Sequence, residues 1–170
     1  MPRITKIDLE TAPQAVKAAV EAHLAKGHRI TNEKRTLLHN VPAFLALEES
    51  SYMLDAELQR LIGKRAADFY EYAISVQNEC FVCTAYFANL LKSNGIDFAT
   101  FDFTQEERLL IEYGQAIARD PKGVPDELFA RMKAAFSEEA LVVITAMGVL
   151  MIANNYFNDI LRVEPEEIID

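Results

Sequence analysis

The chain has 170 residues, of which 51% are hydrophobic, and a formal net charge of -9 at pH 7. This apolar content suffices for one packed domain, or for two small halves that share a core, and excludes disorder over most of the length. The negative charge excludes nucleic acid and an anionic membrane surface as main partners, because their phosphate groups would be repelled. Small molecules and other protein subunits remain as partners.

The sequence indicates a cytoplasmic protein whose thiols are reduced. Residues 1–6 lack the apolar stretch of a signal peptide, and two cysteines are too few for an extracellular disulfide framework. The longest apolar run, residues 140–153, is too short to span a bilayer. We expect it to form a buried helix or one face of an oligomer interface.

Helical periodicity dominates the first half of the chain, and strand-like alternation is hard to find. The pattern predicts an all-α fold, with helices at residues 13–26, 32–38, 43–53, 56–62 and 64–76. Pro13 opens the first helix and Gly27 ends it, while Pro42 and Gly63 separate the later ones. His23 lies on an apolar stripe, which favours a packed side chain over a catalyst.

The second half has clear start and stop signals. Gln77 and Asn78 are expected to break the chain before a helix at 79–93 that carries both cysteines, and Asn94 and Gly95 end it. The remaining helices are predicted at 104–119 behind a Thr104 and Glu107 capping box, from Pro125 onward, and from Ser137 to about Leu161.

The two cysteines, Cys80 and Cys83, are the only ones in the chain. Three residues of spacing can place both thiols on one helix turn, where one sulfur attacks a substrate and the other closes a disulfide. A redox dithiol is therefore the leading hypothesis.

Other interpretations of the cysteine pair remain open. Zinc needs about four ligands, and the only histidines, His23, His28 and His39, lie far upstream, so we expect no metal. Two buried cysteines can also act as small hydrophobic residues. A structural disulfide is a weaker alternative, because so short a loop constrains little of the unfolded chain.

From the cysteine segment outward, the chain resembles the carboxymuconolactone decarboxylase superfamily, in its alkylhydroperoxidase D-like (AhpD-like), peroxidase-related branch. The resemblance is carried by residues 37–42, 61–95, 104–107, 118–121, 136–139 and 155–158. It implies an AhpD-like orthogonal helical bundle over residues 35–163, preceded by an N-terminal helical segment, 1–34, and followed by an acidic tail, 164–170. The tail is expected to be frayed or bound to a partner. The resemblance further implies a homo-oligomer, a trimer or a hexamer.

Active members of that branch share a sequence pattern. In it a glutamate is followed, after eleven residues, by Cys-x-x-Cys, and this is followed, after three more residues, by a histidine. Here Asp68 stands at the position of the glutamate and Phe87 at that of the histidine. The resemblance implies that Cys83 attacks a hydroperoxide, that Cys80 resolves the sulfenate and that Asp68 belongs to a proton relay. A phenyl ring cannot move a proton, so peroxidase activity is expected to be weak.

Three nearby side chains are candidate substitutes for the missing histidine. They are Tyr86, Glu71 and Glu79, none of which occupies the family position. Glu79 would also oppose a thiolate on Cys80 by its charge. On one continuous helix Asp68 would lie about 18 Å from Cys80, so the chain must turn between them for any relay to form.

The sequence thus predicts a thiol-dependent peroxidase that uses Cys83, Cys80 and Asp68, needs no cofactor, and draws electrons from an unknown thiol reductant. One alternative is a dithiol reductase or redox sensor without peroxidase turnover. Another is a non-enzymatic oligomeric binding module. Asn155 and Asn158 resemble a family motif that is usually followed by arginine; Asp159 follows here, and both asparagines are interpreted as structural.

Overall fold

A computed structural model describes residues 1–166 and contains eight α-helices and no strand in that range. The helices are α1 (Gln14–Ala25), α2 (Asn32–Leu37), α3 (Val41–Ile62), α4 (Lys64–Gln77), α5 (Phe81–Ser93), α6 (Gln105–Arg119), α7 (Asp126–Ala135) and α8 (Glu138–Leu161). The predicted all-α class is confirmed.

Several predicted helix ends are confirmed by their capping bonds. The Thr104 hydroxyl accepts from the Glu107 N–H at 3.2 Å, and the Glu107 carboxylate accepts from the Thr104 N–H at 2.8 Å. Ser137 caps α8 by accepting from the Ala140 N–H at 3.2 Å. These side chains satisfy N–H groups that have no partner inside the helix.

The prediction of two short helices between Pro42 and Gly63 is wrong, because α3 is one continuous helix of 22 residues. Pro42 lies in its first turn, where a missing N–H breaks no hydrogen bond. Asn40 caps this helix by accepting from the Ala43 N–H at 2.9 Å. No residue between positions 53 and 56 interrupts the helical pattern.

The larger core surrounds α4, which packs against α3, α5, α6 and α8. Tyr70 is fully buried at its centre and donates to the Ile144 carbonyl of α8 at 2.8 Å. Gly148 permits this approach, because a Cβ atom there would collide with the Tyr70 hydroxyl. This hydrogen bond and the close packing at Gly148 fix α4 against α8.

A second, smaller core joins the N-terminal helices to the main bundle. It contains Val16 of α1, Leu37 and Leu38 at the end of α2, and Phe44 of α3, with Phe157 of α8 packed against them. This cluster holds α2 against the C-terminal end of α8, so the 1–34 segment shares its apolar contacts with the rest of the protein.

The start of the acidic tail is also attached to α2. Asn32 donates from its side chain to the carbonyls of Glu164 and Pro165 at 3.2 and 3.0 Å, and from its backbone N–H to the Glu166 carboxylate at 2.5 Å. The expectation of a frayed tail is therefore wrong for residues 164–166, because these bonds fix them. Residues 167–170 lie outside the described part of the chain.

Helix α8 extends well beyond the apolar run at 140–153. Its 24 residues are long and apolar enough, by length and composition alone, to cross a membrane. The core helix of a globular protein has the same composition, and α8 packs against α3, α4 and α6. Fully buried Asn155 and nearly buried Asn158 face other helices of this bundle, so α8 acts here as a core helix.

Candidate active site

The cysteine segment begins at a tight turn between α4 and α5. The Glu79 N–H donates to the Val76 carbonyl at 3.0 Å, and the Cys80 N–H donates to the Ser75 carbonyl at 3.1 Å. Glu79 adopts a left-handed conformation with φ of 57°, which closes the turn as glycine often does. Cys80 is therefore the N-cap of α5, and the prediction that it lies in the first turn is corrected by one position.

The two sulfur atoms lie 3.0 Å apart, within hydrogen-bonding distance, and both cysteines are free thiols. The Cys83 backbone N–H points to Cys80 Sγ at 3.4 Å. Cys80 is 0% exposed and Cys83 is 7% exposed, so Cys83 is the more accessible sulfur. The arrangement confirms that the spacing brings both thiols together at the start of a helix.

The electrostatics of the pair favour a single shared negative charge. The pKa of Cys80 lies below its usual value, because the Cys83 thiol and backbone N–H both donate to its sulfur. The pKa of Cys83 lies above its usual value, because its thiol hydrogen-bonds Cys80, it is buried and the Cys80 thiolate lies beside it. A thiolate at a helix N-terminus also gains from the helix dipole.

Asn158 of α8 contacts the cysteine pair directly. Its side-chain N–H donates to Cys83 Sγ at 3.3 Å, and this bond favours the thiolate form of Cys83. Its Oδ1 atom has no hydrogen-bond partner among the described residues, and neither has the amide of Asn155 one turn earlier. The structural interpretation of Asn158 was incomplete, because this residue also belongs to the site.

Glu33 of α2 is a site residue that sequence reasoning missed. Its half-buried carboxyl group lies beside the Asn158 side chain, and its charge raises the pKa of both cysteines. Burial raises the pKa of Glu33 to about 7; Asn158 opposes this rise and the negative charge of Glu48 adds to it. No signal in the sequence connects residue 33 with residues 80–83, since the contact arises only from the packing of α2 on α8.

Asp68 of α4 is held by a lysine. Both of its carboxylate oxygens accept from Lys64 Nζ at 2.9 Å, and the Asp68 side chain is nearly buried. Burial raises the pKa of Asp68, and Lys64 opposes that rise. Neither of its hydrogen bonds goes to Cys80 or Cys83, and its role in a relay stays a prediction.

The candidate substitutes for the histidine are distributed around Phe87, which packs in the larger core. Tyr86 is half exposed, and its ring lies edge-on to that of Phe87 at 5.1 Å. Glu71 is buried, and burial raises its pKa well above the usual value. Glu79 is exposed at the turn.

A polar cluster lies next to Glu33 on the other side of α2. Lys34 Nζ contacts the Glu48 carboxylate at 3.1 Å, donates to the Tyr52 hydroxyl at 2.7 Å and lies 3.2 Å from His23 Nε2. His23 is packed, as predicted, and burial lowers its pKa to about 4. Among residues 1–166, no three His, Cys, Asp or Glu side chains are grouped so that they could hold a metal ion.

Comparison with known proteins identifies the fold. No protein-family model and no curated protein matches the chain. Three solved structures resemble it over nearly their full lengths. An uncharacterized peroxidase-related protein from Silicibacter sp. TM1040 superposes with a TM-score of 0.75 at 13% identity, covering 95% of this chain and 92% of its own. The debrominase Bmp8 superposes with a TM-score of 0.76 at 21% identity, covering 96% of this chain and 91% of its own.

The third structure is a protein of unknown function from Agrobacterium tumefaciens, described as an antioxidant defence protein of the AhpD type. It gives a TM-score of 0.60 at 19% identity and covers 96% of this chain and 99% of its own. These likenesses confirm the AhpD-like helical fold that the sequence predicts. At such low identities they show the fold and leave the reaction to be argued from the site.

Proposed function

We propose that this protein is a thiol-dependent peroxidase that reduces hydroperoxides with the Cys80 and Cys83 pair. The observation that carries the proposal is the pair itself, two free thiols with sulfur atoms 3.0 Å apart at the N-terminus of α5. A metal, an aromatic cofactor or a second cysteine pair is not needed for this chemistry, because two thiols supply both electrons.

The first step is an attack by Cys83, the more accessible sulfur. Its thiolate forms a bond to the terminal oxygen of the hydroperoxide, the O–O bond breaks, and the electron pair leaves with the alkoxide oxygen. The alkoxide takes one proton and departs as the alcohol. The proton that Cys83 releases as its thiolate forms balances the proton that the alkoxide takes up.

The second step converts the sulfenate on Cys83 into a disulfide. The Cys80 sulfur attacks the Cys83 sulfur, hydroxide leaves and takes a proton, and one water is released. An external thiol reductant then supplies two electrons and two protons to restore both thiols. Asn158 donates to the Cys83 sulfur at 3.3 Å, and this bond favours the thiolate that the reaction needs.

The test is consumption of a hydroperoxide in the presence of a thiol reductant such as dithiothreitol. We expect catalytic turnover by the wild-type protein and none by Cys83→Ser, with Cys80→Ser slowed because its sulfenate has no partner. A wild-type protein that turns over no faster than Cys83→Ser would refute the proposal. The remaining interpretations would then be a redox sensor or a binding module, neither of which requires catalytic turnover.

A second candidate function is reductive removal of a halogen by the same dithiol. The specific observation is that an apolar ring, Phe87, stands where the peroxidase pattern has histidine, while one fold neighbour is a debrominase that has also been solved as a cysteine-to-alanine variant with 2,3,4-tribromopyrrole. Here the dithiol would give two electrons and a proton to an aryl bromide, releasing bromide, a second proton and the disulfide. Release of bromide from a bromopyrrole by the wild-type protein, and no release by Cys83→Ser, would favour halogen removal over hydroperoxide reduction.

A further inference from the structure

Helix α2 is fixed at the cysteine site by contacts at both of its ends. Thr31 caps its start by accepting from the Lys34 N–H at 3.3 Å, and Leu37 packs in the smaller core near Phe157 of α8. Asn32 adds hydrogen bonds to the carbonyls of Glu164 and Pro165. These contacts hold the next residue, Glu33, in one place beside α8 although α2 has only six residues.

The Glu33 carboxyl group lies beside a buried amide that also contacts the reactive sulfur. Asn158 interacts with Glu33 and donates to Cys83 Sγ at 3.3 Å, and its Oδ1 atom has no partner among residues 1–166. A protonated Glu33 could satisfy that oxygen, whereas a charged one suits the amide N–H. The local structure therefore accommodates both protonation states.

We propose that Glu33 is the acid–base residue of the cysteine site and supplies the proton that the missing histidine cannot. This inference rests on the proposed function and names the residue that completes its first step. Glu33 accepts the thiol proton as the Cys83 thiolate forms, and it gives that proton to the alkoxide oxygen as the O–O bond breaks. Cys83 thiol and hydroperoxide thus become a sulfenic acid and an alcohol, and Glu33 returns to its starting state.

The surroundings of Glu33 suit a group that must both accept and donate a proton near neutral pH. Its pKa of about 7 results first from burial, and then from the charges of Glu48 on α3 and Glu166 in the tail. Lys34 is the nearby cation, but its ammonium group already contacts Glu48 and Tyr52. A pKa near the working pH gives the most effective general acid–base catalyst.

Two oxidants with different leaving groups test the acid role of Glu33 in single turnover with the full-length protein. The alkoxide that leaves tert-butyl hydroperoxide is a strong base and needs a proton, whereas the carboxylate that leaves peracetic acid does not. We expect Glu33→Gln to slow the first reaction by about 10²- to 10⁴-fold, the usual range for general acid catalysis, and the second by far less. Glu33→Asp should recover part of the loss.

The matched control is Glu21→Gln, which removes the same charge from an exposed residue of α1. We expect it to leave both rates unchanged. Equal slowing of both oxidants by Glu33→Gln would indicate a structural or purely electrostatic effect and would overturn the proposal, as would no slowing of either.

Alkylation by iodoacetamide separates this proposal from the peroxidase function, because it needs no peroxide. The negative charge of Glu33 raises the pKa of both thiols, so Glu33→Gln should shift the pH profile of alkylation to lower pH and Glu21→Gln should not. If the wild-type protein reacts with neither oxidant while this shift appears, the peroxidase function fails and Glu33 is still placed beside the thiols. An unchanged profile in a working peroxidase overturns the role of Glu33 alone.

Discussion

Two acidic residues near the cysteine segment, Asp68 and Glu33, differ in the side chains that their carboxyl groups contact. Asp68, at the position that the family pattern assigns to its relay, gives both carboxylate oxygens to Lys64. Glu33 forms no ion pair among residues 1–166 and lies beside Asn158 and the two thiols. Lys64 opposes the effect of burial on the pKa of Asp68, whereas burial raises the pKa of Glu33 to about 7 in spite of the charge of Lys34.

The comparison bears on the proposed proton transfer, because position 87 carries no side chain that can move a proton. On α4 and α5, the replacement of histidine by Phe87 adds a ring to the core and removes a proton carrier. On α2 and α8, Glu33 and Asn158 bring an acid and an amide to the same sulfur. The two regions can be tested against each other by substitution.

The largest effect is expected from the cysteines themselves. Cys83→Ser should abolish oxidation by one equivalent of hydroperoxide, whereas Cys80→Ser should accumulate a sulfenate on Cys83 that dimedone traps. The reason is that Cys83 is the more exposed sulfur and Cys80 the resolving one. Mass spectrometry of the labelled peptides measures both results. A dimedone adduct on Cys80 in the Cys83→Ser protein would reverse the two roles.

A smaller effect is expected when a histidine is placed at position 87. Phe87→His should raise the rate of peroxide consumption by at least about tenfold, because general acid–base help is worth about 10²- to 10⁴-fold and the new imidazole is buried. The gain should be greatest in the Glu33→Gln background, where no other acid serves Cys83. Stopped-flow consumption assays measure it, with thermal unfolding as the control for stability.

Asp68→Ala in the Phe87→His protein examines the α4 side of the comparison. If Asp68 orients the new imidazole, this second change should remove the gain. A gain that survives it would show that Asp68 serves only Lys64, and no gain at all in a folded Phe87→His protein would show that the ring at position 87 does not reach Cys83.

Glu33 should also make stability depend on pH in a defined direction. Its pKa is about 7 in the folded protein and about 4.5 when unfolded, so the folded state binds more protons between these values and the free energy of unfolding falls as pH rises through this window. Glu33→Gln should therefore be more stable than wild type at pH 8, by about 1–3 kcal/mol after allowance for solvent screening, and equal to it near pH 4.

Urea unfolding of both proteins at pH 4, 6 and 8 measures this difference. His23, whose pKa is about 4, also titrates in the acid range, but it is present in both proteins and cancels. A wild-type protein as stable as Glu33→Gln at pH 8 would mean that the carboxylate is well solvated and not constrained beside the thiols.

The smallest effect on chemistry is expected from self-association, which we propose on the surface of α8. Val142, Val149 and Tyr156 recur every seven residues and are at least half exposed, as is Ile160 one turn later. Such a stripe on a long helix is typical of an interface between copies. Light scattering should give a trimer or hexamer, and Val149→Glu should dissociate it; a wild-type monomer at micromolar concentration would contradict this proposal.

The sequence predicted the parts of the molecule that depend on local signals. The all-α class, the capping box at Thr104, the Ser137 cap and the closeness of Cys80 and Cys83 all follow from spacing within a few residues. The predicted interruption at residues 54–55 is wrong because no proline or glycine there breaks the helix, and Pro42 lies inside α3, in a first turn that tolerates proline well.

The parts that were missed depend on tertiary packing. Glu33 lies 50 residues before Cys83 in the chain, and it reaches the site because Leu37 and Phe157 bury their side chains in one small core. Asn158 follows the same logic, since only the path of α8 directs its amide to the sulfur. Neither contact is marked in the sequence by a periodicity or a motif.

The most direct test of the central claim, a redox dithiol, is the intact mass of the reduced protein before and after one equivalent of hydroperoxide. The sulfur atoms lie 3.0 Å apart, so we expect a loss of two hydrogens, a Cys80 to Cys83 disulfide in the digested peptides, and full recovery of both thiols with dithiothreitol. Two thiols that remain open to alkylation, or separate sulfinates on each cysteine, would contradict the account.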